Sequence, residues 1–127
     1  MMITIKSTKI VYTDIDNTLL FSLREYPHEV THEVVKINGR KFWVHDPHIE
    51  MIKDFKARGH SIVVWSAGGA EWAKLAVEAL KLESHVDLVI SKPDWFIDDK
   101  TAEQFMGEDK RFYKSRVIGL PAQKEIK

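Results

Sequence analysis

Two carboxylates, Asp14 and Asp16, stand one residue apart directly after the apolar run Ile10-Val11-Tyr12. A second pair, Asp98-Asp99, follows Trp95-Phe96-Ile97. Between the pairs, Ser66 ends the run Ile62-Val63-Val64-Trp65, and Lys92 lies just past Val86-Asp87-Leu88-Val89-Ile90. Carboxylates gathered within ~4 to 6 Å repel, and each raises the other's pKa unless a cation neutralises them. A divalent ion removes that conflict. Oxygen donors suit Mg²⁺, which takes one or two carboxylates and completes its shell with water and substrate phosphate. The chain has no cysteine, which excludes disulfides, thiolate zinc sites and cysteine nucleophiles together. Chemistry here must run on oxygen and nitrogen.

These residues act together only if the intervening elements bring them to one place. The length of 127 residues predicts one domain over 1–127 with a real core. At 44% hydrophobic and 30% charged, the composition is that of an ordered globular chain. Nineteen basic residues balance 19 acidic ones, so no net field favours nucleic acid or an acidic membrane. No window reaches the ~18 apolar residues of a membrane span, and MMITIKSTKI is too short a run for a secretory leader, so the expected location is cytoplasmic. Asp46-Pro47 signals a helix start, with Ile49, Met51, Ile52 and Phe55 leading to a stop at Arg58-Gly59. HSIVVWS (60–66) has strand length, and GAEWAKLAVEALKL after it carries Trp72, Leu75, Ala76, Ala79 and Leu80 at helical spacing. Further strands are expected at VDLVI (86–90), WFID (95–98) and RVIGL (116–120), with a short helix from Thr101 to Met106. This alternation predicts an α/β fold, a mostly parallel sheet with helices on both faces. EVVKINGRKFWVH reads as a hairpin turning at Asn38-Gly39, an insertion over about 29–46 that projects from the body. In such sheets the functional crevice lies at the carboxyl ends of the strands, where Asp14, Asp16, Ser66, Lys92, Asp98 and Asp99 all fall.

Asp14-Ile15-Asp16-Asn17-Thr18 matches the D-x-D-x-T signature of the haloacid dehalogenase (HAD) superfamily, and Ser66, Lys92 and Asp98-Asp99 resemble its later motifs in the same order. VVWSAGGAEWA, and the close succession of SKP and FIDDK, look most like small capless phosphatases of that group. The resemblance covers residues 9 to about 100. It implies a three-layer Rossmann-like sheet with a small hairpin flap and no large cap domain, and a Mg²⁺-dependent phosphatase acting on phosphomonoesters. By that resemblance Asp14 would be the nucleophile that forms an aspartyl-phosphate, and Asp16 the general acid and then base. Asp14, the backbone carbonyl of Asp16 and Asp98 would ligate the metal, with Asp99 supporting from the same turn or one ligand further out. Ser66, Ala67 and Gly68 would bind the phosphate together with free N–H groups at the following helix start. Lys92 would neutralise phosphoryl oxygens and steady Asp14. Thr18 is expected to fix the turn after the strand.

Only five residues separate Lys92 from Asp98, too few for a crossover helix, so Lys100 competes for the role of active-site lysine. With 49 residues between Asp16 and Ser66, no large cap fits, and the hairpin supplies a candidate wall through Arg40, Phe42 and Trp43. Trp65 and Trp72 read as packing. His28 with His32, and His45 with His48, raise a zinc alternative; more simply, some of the six histidines edge the phosphate entrance and titrate near neutral pH. Lys110, Arg111, Lys114 and Arg116 read as a solvated basic face. The expected partner is a phosphorylated small molecule or a macromolecular phosphate, with nucleic acid as substrate only. Two other classes compete. One is a metal-dependent nuclease, since strand-end aspartates also serve two-metal phosphodiester cleavage. The other is a phosphate-binding or phospho-acceptor regulatory module.

Overall fold

A computed structural model describes residues 4–5, 9–23, 33–101 and 104. In chain order the elements are β1 (Ile10–Thr13), β2 (Leu20–Ser22), β3 (Val34–Ile37), β4 (Arg40–Val44), α1 (Asp46–Ala57), β5 (Ser61–Ser66), α2 (Ala70–Ala79), a 3₁₀ turn at Glu83–His85, and β6 (Leu88–Ser91). The continuous apolar runs form a parallel sheet of order β1-β5-β6. α1 begins and ends at its sequence signals. Pro47 sits in the first turn of α1, where its missing N–H costs nothing, and Gly59 beyond its end takes φ +91°.

Parallel register places Val11 beside Ile62 and Val64 beside Val89. These four share one face and pack with Ile49 and Ile52 of α1 and Ala73, Ala76 and Val77 of α2 in a single buried cluster. Period-two alternation turns Ile10, Tyr12, Val63, Trp65, Leu88 and Ile90 to the other face, where the Tyr12 and Trp65 rings lie 4.6 Å apart. Among the described residues both helices lie on one face of the sheet. Right-handed crossovers that step the same way across a sheet, β1 to β5 and β5 to β6, leave their helices on the same side.

The hairpin forms as expected but does not project. Asn38 (φ 50°) and Gly39 (φ 80°) make the turn with the two positive φ angles that a tight two-residue loop requires. Its strands join β2 in an antiparallel sheet of order β2-β4-β3, with Leu20 beside Val44. Ile37, Phe42 and Val44 are buried in the same cluster as the parallel sheet's inner face. A lone hairpin is marginal in water, whereas burying each such side chain contributes about 1.5 to 3 kcal/mol. Packing wins over projection.

Residues 95–98 form no strand. Trp95 is 89% and Ile97 100% exposed, and Pro93, which has no N–H, follows the end of β6 closely. Thr101 and Gln104 exchange the two hydrogen bonds of a capping box, at 3.0 and 3.1 Å, as expected of a helix start. The rest of that helix, the strand at 116–120, the basic stretch and His28 with His32 lie outside the described residues. Among the described residues no helix is long and apolar enough to cross a membrane.

Candidate active site

Parallel pairing sets Thr13 beside Val64 and Ser66 beside Ser91, so Asp14, Ser66 and Lys92 emerge at the same end of three strands. Lys92 Nζ lies 3.5 Å from Asp14 Oδ1, and the Lys92 N–H donates to the Ser66 carbonyl at 2.9 Å. Lys100 instead belongs to an exposed turn, its N–H donating to Asp98 Oδ1 at 3.0 Å.

The turn after β1 hangs on one carbonyl. Ile15 O accepts the N–H groups of Thr18, Leu19 and Leu20 at 3.2, 2.9 and 3.1 Å, and Asn17 bends the chain at φ 62°, which Asn tolerates better than most residues. Buried Ile15 and Leu19 pin the turn to the core while Asp14 is half-buried and Asp16 exposed. Thr18 fixes this turn, as expected: its hydroxyl reaches Asp14 Oδ2 at 3.5 Å and its carbonyl accepts a bond of 2.8 Å from His48 Nδ1. Since a carbonyl only accepts, Nδ1 carries the ring proton.

Neither His45 nor His48 is among the histidines at an entrance. Both are buried and stacked 4.0 Å apart; His45 Nδ1 accepts the His48 N–H and so caps α1. They brace the turn from within. Burial pushes the His48 pKa down, and nearby His45 adds to this, while the Thr18 carbonyl opposes it.

The segment after β5 is a tight cradle. Buried Ser66 accepts the Gly68 N–H at its Oγ, 2.9 Å away, and Gly69 sits at φ +105°, where a side chain would be strained. α2 has no cap from Gly69 itself; Ser91 at the end of β6 accepts the Ala70 N–H at 2.9 Å. Ala67 and Gly68 are exposed at the mouth. A Cβ on Gly68 would stand 3.1 Å from Trp72 Cδ1 and 3.3 Å from Ser66 Oγ. The indole of Trp72 fills that space and its Nε1 donates to Asp16 Oδ2 at 3.1 Å. Partial burial raises the Asp16 pKa; the Trp72 bond works against this, Asp14's charge reinforces it, and Arg40 and Lys92 lower it.

Trp72 and Ser91 are the residues that sequence reasoning missed. The register of Ser91 opposite Ser66 was the available sign. Phe42, expected as a wall contact, is instead buried with its ring 5.6 Å from Trp72, and Arg40 lies over the Phe42 ring at 5.0 Å.

Asp98 and Asp99 are exposed, and hydrogen bonds within their own turn, from Asp99 first and then from the Lys100 N–H, draw the Asp98 pKa down. Among the described residues no three His, Asp or Glu side chains are gathered as a metal site. The donors that are brought together, Asp14 and Asp16, are hard oxygens of the kind that fits Mg²⁺, with the Lys92 ammonium against Asp14. A cleft of about 460 Å³ lined by Glu33, Asp46, Glu50, Lys53 and Lys81 among others includes none of these residues. No family model, curated protein or solved structure matches the chain.

Proposed function

We propose that the chain is a Mg²⁺-dependent phosphomonoesterase of the haloacid dehalogenase type, cytoplasmic, working through an aspartyl-phosphate. The observation that carries this reading is the meeting of Asp14, Asp16, Ser66 and Lys92 at the carboxyl ends of parallel strands, with Lys92 against Asp14. An acid, a second acid with a raised pKa, a cation and a serine-glycine cradle are the parts that phosphoryl transfer through a carboxylate needs.

An Asp14 carboxylate oxygen attacks phosphorus as the ester P–O bond breaks, and Asp16 gives its proton to the departing oxygen. Water then attacks phosphorus, Asp16 takes its proton, and the acyl-phosphate P–O bond breaks to free Asp14 and inorganic phosphate. Lys92 offsets charge on the transferring oxygens, and the positive end of α2, its Ala70 N–H already given to Ser91, adds its dipole. The Asp14 carboxylate and the backbone carbonyl of Asp16 would hold Mg²⁺, which when bound supplies further charge neutralisation. By the resemblance Asp98, in the exposed turn past Lys92, would be the further ligand, with Asp99 in support. The raised Asp16 pKa favours the protonated state that the first step demands.

The test is phosphate release from p-nitrophenyl phosphate and from a panel of phosphorylated metabolites and 3′- or 5′-phosphorylated oligonucleotides. Turnover should require Mg²⁺ and cease on chelation. Asp14→Asn should abolish it, and Asp16→Asn should cost ~10²- to 10⁴-fold, as expected for loss of a general acid. Cleavage of oligonucleotide chains without monoesterase activity would replace this reading with a nuclease. A stable acyl-phosphate without release would replace it with a phospho-acceptor module.

A further inference from the structure

Trp72 is out of place as a core residue. It is only half-buried, sits in the first turn of α2, and spends its single polar group on the carboxylate at the mouth of the site. The surroundings are fitted to it. Phe42 of β4 lies against the ring at 5.6 Å, Arg40 covers Phe42, and position 68 is glycine where any Cβ would press on the indole. Two separate parts of the chain, β4 and the segment before α2, thus hold one N–H at 3.1 Å from Asp16 Oδ2.

We infer that Trp72 is a positioning residue that fixes which oxygen of Asp16 delivers the proton. An indole N–H can only donate, so Oδ2 serves it as acceptor and the transferable proton rides on Oδ1. Without that bond the carboxyl group turns about χ2, a broad and weakly held torsion, and the proton is aimed only part of the time. This role rests on the reading of Asp16 as proton donor given above. The hairpin takes part as well, because through Phe42 it sets the tilt of the indole and so the aim of the acid.

The test uses the full chain. Trp72→Phe keeps a ring against Phe42 and removes the donor. Relative to wild type in Mg²⁺, KM for an alkyl phosphate should stay within about twofold while kcat falls about tenfold, a fraction of the ~10²- to 10⁴-fold worth of the acid itself. p-Nitrophenyl phosphate, whose leaving group scarcely needs a proton, should lose far less. Gly68→Ala, which pushes on the indole, should show the same preference for the good leaving group. Without metal, the Trp72 indole resonance in a proton–nitrogen correlation spectrum should shift on Asp16→Ala. Equal losses with both esters, or an indole resonance indifferent to Asp16→Ala, would overturn the inference. A wild-type protein inactive on every ester would refute the phosphatase reading instead, and the indole shift would still decide the contact.

Discussion

His48 shows how a residue away from the reacting groups is coupled to them. Its Nδ1 proton holds the Thr18 carbonyl, and Thr18 closes the turn that carries Asp14 and Asp16. Its pKa is lowered on folding, chiefly by burial, so the unfolded chain binds the proton more readily. Stability from this residue is complete above the unfolded value of about 6.5 and declines as pH falls from there toward the folded value. Urea midpoints should therefore drop between pH 7 and 5. His48→Asn, whose amide nitrogen can replace Nδ1, should flatten that part of the slope. None of this was legible in the residues themselves. His45 and His48 beside a helix start suggested exposure, and only the tertiary fold buries them. Asp14, Asp16, Ser66 and Lys92 were legible, because each ends an apolar run and parallel strands deliver such residues to one edge. Trp72 was not, since its spacing with Ala76 and Ala79 fits a packed stripe equally well.

At the scale of elements, Asp87 joins three of them. Its carboxylate accepts from Lys56 of α1 at 2.8 and 2.9 Å and from the Ile62 N–H of β5 at 2.7 Å, just before β6 begins. Partial burial pushes its pKa up, but the Lys56 and Ile62 hydrogen bonds and the Lys56 charge outweigh this and leave it below the usual value. A depressed carboxylate stabilises above its unfolded pKa and loses that effect as pH falls through the folded one. Asp87→Asn keeps an acceptor for Ile62 but not the ion pair. It should cost about 1 kcal/mol at pH 7, discounted for its partial exposure, and progressively less as pH falls below the ordinary carboxylate range, as read from paired denaturation curves. The helices and the strands β5 and β6 were predictable from run length, period and their Pro and Gly boundaries. Two elements were not. β2 is three residues long, too short to carry a pattern, and Trp95-Phe96-Ile97 has strand composition without the ladder partner that makes a strand.

For the whole molecule, the telling fact is that both sheets share one hydrophobic cluster. The turn at Asn38-Gly39 was readable, but the docking of the hairpin depends on contacts with Leu20 and Trp72 that no local pattern encodes. A flap that merely projected would tolerate truncation of Phe42. In this fold Phe42→Ala should cost about 3 to 5 kcal/mol, and heat should melt the variant in one transition at a lower temperature. A local loosening with an unchanged main transition would contradict the shared core.

The Ile15 carbonyl reaches far for a single atom, because the amides of Thr18, Leu19 and Leu20 all depend on it. Three protons that share an acceptor are released together. Deuterium uptake at those positions would then come as one event, and that event would also carry Asp16 out of reach of Trp72.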